Sequence, residues 1–320
     1  MSRLRSLSAL ALLVVLAAAA WAQDFPVRPI KLVVGFAPGG ATDVVARLVA
    51  ERVAAAAGQT VIVENKPGAN GQVAAELVAH AEPDGYTLFF TTLGAIALNP
   101  NLRSKLGYDP RTDFAPVAMV ARNTIMLAVN AKSEIKTFAD FAAAAKAKPL
   151  SVGVTGVGAA TYLSAVLLQK ALGTKLEIVP YRGAAQALSD LAGGHIDAMF
   201  GEIPLFMGPV KAGTIRALAS MSKQRADLIP GVPTFTELGL PEVYAENWTG
   251  VVAPAHTPPA VVARLSAIFQ SAVTDPAMST QLARSGVTPS FAGAAEFRAF
   301  IAGEIDRWGK VIRENGVHVE

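Results

Sequence analysis

Residues 30 to 47 constrain this chain more than any other stretch. Ile30 to Phe36 is a short apolar, β-branched run, the pattern of a buried strand, and Pro38-Gly39-Gly40 breaks it. Thr42 is a favourable helix N-cap, and Val44, Val45, Leu48, Val49 and Val53 continue at helical spacing. The order is strand, glycine loop, helix start. The first N–H groups of a helix have no internal partner and lie at the positive end of its dipole. Glycine permits positive φ and close approach to the backbone. Together these make an anion seat from main chain alone. Asp43 falls in the first turn, where a carboxylate favours the dipole or takes loop N–H groups, and Arg47 is spaced to pair with it. Any α/β protein has such turns, so the loop on its own also reads as a plain connection.

Arg3 and Arg5 precede an apolar run from Leu7 to Ala20, and Ala20-Trp21-Ala22 fits a small-x-small cleavage site. Residues 1–22 therefore read as a signal peptide, too short to span a bilayer comfortably. The mature chain is expected to be exported and soluble. It contains no cysteine, which excludes disulfides, thiol catalysis and thiolate metal sites. The formal charge of +3 loses Arg3 and Arg5 with the leader and becomes +1. No basic stripe with interleaved aromatics is present, which argues against nucleic acid. At 52% hydrophobic and 17% charged residues the chain is globular, and long enough for two lobes.

Along the mature chain strands and helices alternate. Strands are expected at Ile30–Phe36, Val61–Asn65 and Tyr86–Thr92, with helices from Thr42 to about Ala57 and from Gln72 to His80. This β-α-β-α-β order implies a parallel sheet with right-handed crossovers. Phe114 to Asn130 is extended and apolar, long for one strand and interrupted at Ala121-Arg122-Asn123. A second series follows: a helix at Phe138–Lys146, strands at Ser151–Val154, Leu176–Val179, Asp197–Phe200 and Ile215–Ser220, and helices at Thr161–Leu172, Ala184–Ala192 and Leu205–Lys211. Gly201 to Pro204 reads as a loop, Lys223 to Tyr244 as irregular, and Trp248 to Pro254 as a strand. Three helices close the chain, at Pro258–Thr274, Ala277–Arg284 and Ala295–Asn315. Two series joined by extended passages near 114–130 and 246–254 imply lobes that exchange chain twice, with a hinge beneath a cleft. The expected division is 23–122 plus 247–320 for lobe 1 and 123–246 for lobe 2.

Signatures of catalysis are weak. His80, His195, His256 and His318 form no zinc-binding spacing, and no G-x-S-x-G occurs. Ser133-Glu-Ile-Lys136 matches S-x-x-K without its companion motifs and reads as the turn before a helix. Gly156-x-Gly158-x-x-Thr161 is a degenerate dinucleotide fingerprint whose last glycine is replaced. What remains is a set of strand-to-helix loops: Ala37–Thr42, Thr155–Thr161, Pro180–Ala184 and Gly201–Pro204. Ligands of open parallel sheets sit beyond the carboxyl ends of the strands. Two facing lobes would present two helix N-termini to a molecule with a carboxylate at each end. Arg182 is the one cation in such a loop, and it either touches a carboxylate or is solvated.

Several segments resemble the extracytoplasmic solute-binding proteins of tripartite tricarboxylate transporters, the Bug family. In order they are Phe25-Pro-x-x-Pro-Ile-Lys-Leu-Val-Val, Phe36-Ala-Pro-Gly-Gly-x-x-Asp43, Glu64-Asn-x-Pro-Gly and Pro83-Asp-Gly-Tyr-Thr-Leu. Pro180-Tyr-x-Gly183, Gly193-Gly-x-x-Asp197, Gly213-x-Ile-Arg-Ala-Leu-Ala219, Pro233-Thr-x-x-Glu-Leu-Gly and Trp248-x-Gly…Ala253-Pro complete the set. The resemblance implies an α/β, two-lobed periplasmic-binding-protein fold of type II, a Venus flytrap with two extended crossover passages. It implies a periplasmic receptor with no chemistry and no cofactor of its own, monomeric, that captures a small organic acid and hands it to membrane permease subunits. It also assigns the ligand site: Phe36, Ala37, Pro38, Gly39, Gly40, Thr42 and Asp43 in the first loop, and Thr91 and Thr92 at a strand end. Facing them are Gly156, Gly158, Ala159, Ala160 and Thr161, bordered by Tyr181, Arg182, Gly183 and Glu202. The second loop departs from the family pattern, with Ala159 and Tyr162 where a serine and a histidine are common, so backbone N–H groups and Thr161 would have to serve. An exported hydrolase on the same scaffold, or a receptor serving a signalling sensor, are the alternatives.

Overall fold

The structure is a computed structural model that describes residues 25–181 and 183–317. The proposed leader over 1–22, Arg182 and His318 lie outside the described residues. β1 (Ile30–Val34), β2 (Val61–Asn65) and β3 (Thr87–Thr92) are parallel in the order β2-β1-β3, with Val34 opposite both Asn65 and Phe90. Their connections are α1 (Ala41–Ala57) and α2 (Gln72–Ala79). α1 buries Val45, Ala46, Val49, Ala50 and Val53 against Ile30, Leu32, Val34, Leu88 and Phe90. α2 covers the other face, with Val33 and Phe89, as the alternation of side chains along a strand requires.

A π-helical turn at Gly94–Leu98 and the short α3 (Asn99–Leu102) lead to β4 (Phe114–Asn130), which is one continuous strand of 17 residues. The break expected at Ala121-Arg122-Asn123 is absent. Strands this long are unusual. This one persists because every residue except Arg122 and Asn130 is buried. Each fully buried Val or Leu along it contributes about 1.5–3 kcal/mol. Its pairing with β9 shifts register between Pro116 and Ala118 and again between Met119 and Ala121, the mark of bulges.

The second series comprises α4 (Phe138–Ala147), β5 (Ser151–Val154), α5 (Ala160–Leu172), β6 (Glu177–Pro180), α6 (Ala184–Gly193), β7 (Ala198–Glu202), α7 (Ile203–Lys211) and β8 (Ile215–Ser220). Its sheet runs β6-β5-β7-β4, with β5, β6 and β7 parallel and β8 on β4 as well. Gly201 to Pro204 is not a loop: β7 continues to Glu202 and α7 begins at Ile203. Proline in the first turn costs no helix hydrogen bond, so Pro204 starts the helix instead of ending the strand early. Residues 223–244 carry no helix or extended strand.

The chain returns as β9 (Glu246–Pro254), followed by α8 (Pro259–Val273), α9 (Pro276–Arg284), β10 (Thr288–Gly293) and α10 (Ala294–Glu314). β9 lies between β3 and β4, antiparallel to both, so the sheet is mixed and not wholly parallel. β10 escapes sequence reading because it pairs with β4 alone and contains Pro289, tolerable on an edge strand.

β4 is the element that joins the two sheets. Phe114 to Thr124 pairs with β9, and Ile125 to Val129 pairs with β7. Direction then follows from register. β3 and β1 run the same way as β4, toward the crossover, because both β3 and β4 oppose β9. β5, β6 and β7 oppose β4 beyond the crossover, so they too run toward it. The carboxyl ends of the parallel strands of both sheets therefore converge on residues 121–125. α10 spans the junction behind them: Glu304 accepts from Trp248 Nε1 at 3.3 Å, and Glu314 meets Lys170 of α5 at 2.9 Å.

Candidate functional site

The loop after β1 is built on a turn. Gly40 N donates to Ala37 O at 3.3 Å, with Pro38 second and Gly39 third at φ +79°. This is the type II pattern, in which the third position needs positive φ. Gly40, not Thr42, is the N-cap of α1, with φ −72° and ψ 164° and no side-chain cap. Thr42 lies one residue inside the helix. The first helical bond joins Val44 N to Gly40 O at 2.9 Å. Among the described residues, the N–H groups of Ala41, Thr42 and Asp43 have no partner, as expected of an open helix start.

Asp43 holds this loop in place. Its carboxylate is buried, and Oδ2 accepts from Gly39 N at 2.8 Å and Arg47 Nε at 2.9 Å. Oδ1 accepts from Asn65 Nδ2 at 2.8 Å, and the same amide donates to Phe36 O at 3.0 Å. Burial alone would push the Asp43 carboxyl up. Arg47, the Gly39 amide and Asn65 outweigh it and hold the group below its ordinary value. The expected Asp43–Arg47 pair is present, and Asp43 spends its oxygens on the protein.

The loop after β5 repeats the geometry. Ala159 N donates to Gly156 O at 3.4 Å, and Gly158 stands third at φ +77°. Ala159 is the N-cap of α5, with φ −73° and ψ 162° and no side-chain cap. Leu163 N donates to Ala159 O at 3.1 Å, which leaves the N–H groups of Ala160, Thr161 and Tyr162 open among the described residues. Here Thr161 is the fastener. Its buried hydroxyl accepts from Thr155 N at 2.9 Å and meets Thr155 Oγ1 at 2.8 Å.

The crossover forms the floor between the two loops. Glu202, at the end of β7, accepts from Asn123 Nδ2 at 2.9 Å and Asn247 Nδ2 at 2.8 Å, one donor from each strand that crosses. Burial pushes the Glu202 carboxyl above its ordinary value, against the two amide donors. Asn123 and Asn247 are register partners and share a face; their neighbours Arg122 and Glu246 point the other way. There Arg122 meets Glu246 at 3.1 Å, Tyr244 Oη donates to Glu246 at 2.8 Å, and Arg307 donates to Tyr244 O.

The remaining expected residues divide. Gly183 is the N-cap of α6, and Tyr181 follows β6, both at the converging edge. The Tyr181 hydroxyl, however, donates to Asp190 at 2.7 Å, and burial with that carboxylate pushes it up to about 12. Thr91 and Thr92 are both buried but face opposite ways: Thr92 shares the α1 face with Phe90, while Thr91 shares the α2 face with Phe89. The sequence reading missed Asn123, Asn247 and Thr249. Their signal was available as polar residues, Arg122-Asn123-Thr124 and Glu246-Asn247 with Thr249, set into otherwise apolar strands. A separate groove of about 510 Å³ lies between α5 and α10, lined by Leu167, Lys170, Arg307 and Glu314 among others, away from these loops.

The family model described as "Tripartite tricarboxylate transporter family receptor" matches residues 45–317. The curated protein BugT of Bordetella pertussis is 34% identical over 95% of this chain and 94% of its own. Among solved structures, the periplasmic binding protein BugD superposes with a TM-score of 0.80 at 31% identity, covering 92% of this chain and all of BugD. MatC from Rhodopseudomonas palustris, solved with bound malate, gives 0.77 at 34% identity over 90% of this chain and 100% of MatC. A second R. palustris protein, solved with adipate, gives 0.83 at 33% identity over 92% and 99%. The matched family is described as a receptor family and BugD as a periplasmic binding protein, and this chain has the two-lobed type II fold.

Proposed function

The chain belongs to the receptor family of tripartite tricarboxylate transporters, and from that membership we propose that it is an exported periplasmic receptor that closes two lobes on a small carboxylate and delivers it to the permease subunits of such a transporter. One observation carries the reading. Two helices on different sheets begin with the same turn and the same uncapped start, at edges that converge on one crossover. Each start offers three N–H groups at a positive dipole end, the arrangement that binds carboxylates without a formal cation. A charge-assisted hydrogen bond of this kind contributes about 1.5–3 kcal/mol. The proposed lobes are 23–122 with 247–320 and 123–246, a division two residues before β4 changes partner between Thr124 and Ile125. The residues proposed to face the ligand are Phe36 to Thr42, Thr92, Gly156 to Thr161, Tyr181, Gly183 and Glu202.

The neighbours solved with malate and adipate favour a diacid. Calorimetry on purified protein against four- to six-carbon diacids, tricarboxylates and aromatic acids tests the reading. The expected result is binding at about micromolar Kd or tighter for at least one diacid. Failure of every organic anion to bind would remove it.

A further inference from the structure

Half of the buried side-chain atoms that lack a hydrogen-bond partner among the described residues lie together at the crossover. They are Thr92 Oγ1, Thr249 Oγ1 and Asn123 Oδ1; the other three, on Arg52, Arg103 and Thr174, are elsewhere. Thr92 is the register partner of Thr249, which is in turn the partner of Ala121, two residues before Asn123 on the same strand. All three side chains point to the face of the first sheet that α1 covers, and they are 3%, 3% and 5% exposed. Unsatisfied buried polar atoms are uncommon and destabilising, and each calls for an explanation.

The amide oxygen sets the chemistry of the cluster. Asn123 has committed its Nδ2 to Glu202, so the orphan is a carbonyl oxygen, which only accepts. The Glu202 oxygens beside it accept from Asn123 and Asn247. The two threonine hydroxyls accept as readily as they donate. The N–H groups of the helix starts suit carboxylate ends, whereas this floor suits a donor. We infer that Thr92, Thr249 and Asn123 form a subsite that reads a hydrogen-bond donor, a hydroxyl or ammonium group, on the carbon chain between the ligand's carboxylates. This rests on the receptor reading above and names the class of its solute: a hydroxy- or amino-diacid, in preference to the plain diacid of the same length.

Calorimetry on the full mature protein with matched sets tests it: succinate, malate and aspartate, then glutarate, 2-hydroxyglutarate and glutamate. In at least one set the donor-bearing acid is expected to bind roughly tenfold or more tighter than the plain one, the scale of one or two well-made buried hydrogen bonds. Thr249→Val and Thr92→Val keep the side-chain shape and remove an orphan hydroxyl. Each is expected to fold with a Tm equal to or above the parent, and to lower the ratio of the two affinities severalfold. A plain diacid that binds as tightly as its hydroxy and amino partners, with valine variants leaving the ratio where it was, overturns the subsite and leaves the receptor reading standing. Binding of no acid in either set overturns both.

Discussion

The two helix starts differ in what fastens them far more than in shape. Gly40 and Ala159 have nearly the same backbone angles, and Gly39 and Gly158 hold the same left-handed place one residue earlier. In the first loop a buried carboxylate ties the turn to Arg47 and Asn65; in the second a neutral hydroxyl ties the helix back to Thr155. Main-chain geometry is the shared feature, and side chains reach it by different chemistry. One seat therefore depends on an ionised group and the other does not. The alanine at 159 also shows which glycine matters. The N-cap position has negative φ and accepts a Cβ, while the position before it does not.

Asp43→Asn is the change expected to unbalance the seats most. It replaces an acceptor-only group with one that must turn its N–H groups either toward Arg47 and the Gly39 amide or toward the Asn65 amide, donors in both places. The loss of charge-assisted bonds at a buried site is expected to cost about 2–3 kcal/mol of unfolding free energy, read by urea denaturation. Ligand affinity should fall with it, because the turn that presents the open N–H groups loses its fastening. The folded-state Asp43 pKa lies below the ordinary 3.8, so its contribution is complete above that value and disappears as pH falls through the lower folded value. The gap between parent and Asp43→Asn should thus be widest near neutrality and close under acid. Equal stability of the two proteins at pH 7 would show that Asp43 does not hold the loop.

Gly39→Val and Gly158→Val probe the feature the seats share. A β-branched residue at φ near +79° or +77° is strained by about 1–2 kcal/mol, even though open space surrounds a Cβ at Gly39. Each is expected to weaken binding roughly tenfold by calorimetry, and by similar factors if the loops are equivalent. Gly40→Ala should be close to neutral, because Ala159 already occupies the matching place. Arg182→Ala should cost less than Gly39→Val. If it costs as much, a side-chain cation holds the acid and the main-chain account fails.

Much of this was legible in the residues. The strand–glycine–helix order of 30–57, the second series and the two crossing passages all follow from apolar spacing, and Asp43–Arg47 from helical spacing. The cap at Gly40 was not legible, because Thr42 has the better side chain and only the turn geometry moves the helix start back. Continuity of β4 through Arg122 and Asn123 was hidden as well. Polar residues inside a strand read as a break until their partners are known, here Ser290, Glu246 and Glu202. β10 was lost because an edge strand needs no long apolar run. Asn123 and Asn247 lie about 120 positions apart in sequence and meet through the register of β4 with β9, while Thr92 joins Thr249 through β3 with β9 and Glu202 arrives on β7.

The smallest effect is expected at Thr161, and it is the sharpest test of the contrast. Thr161→Val removes one buried hydroxyl and leaves Thr155 N without its partner, at a cost of about 0.5–1.5 kcal/mol. No titrating group takes part in that bond. The difference between parent and variant should therefore hold constant from neutral pH into the acid range in which the Asp43→Asn difference closes. Parallel urea titrations at several pH values separate the two. A Thr161→Val difference that also closes under acid would mean that the second loop leans on a carboxylate after all, and that the two seats differ less than their fasteners indicate.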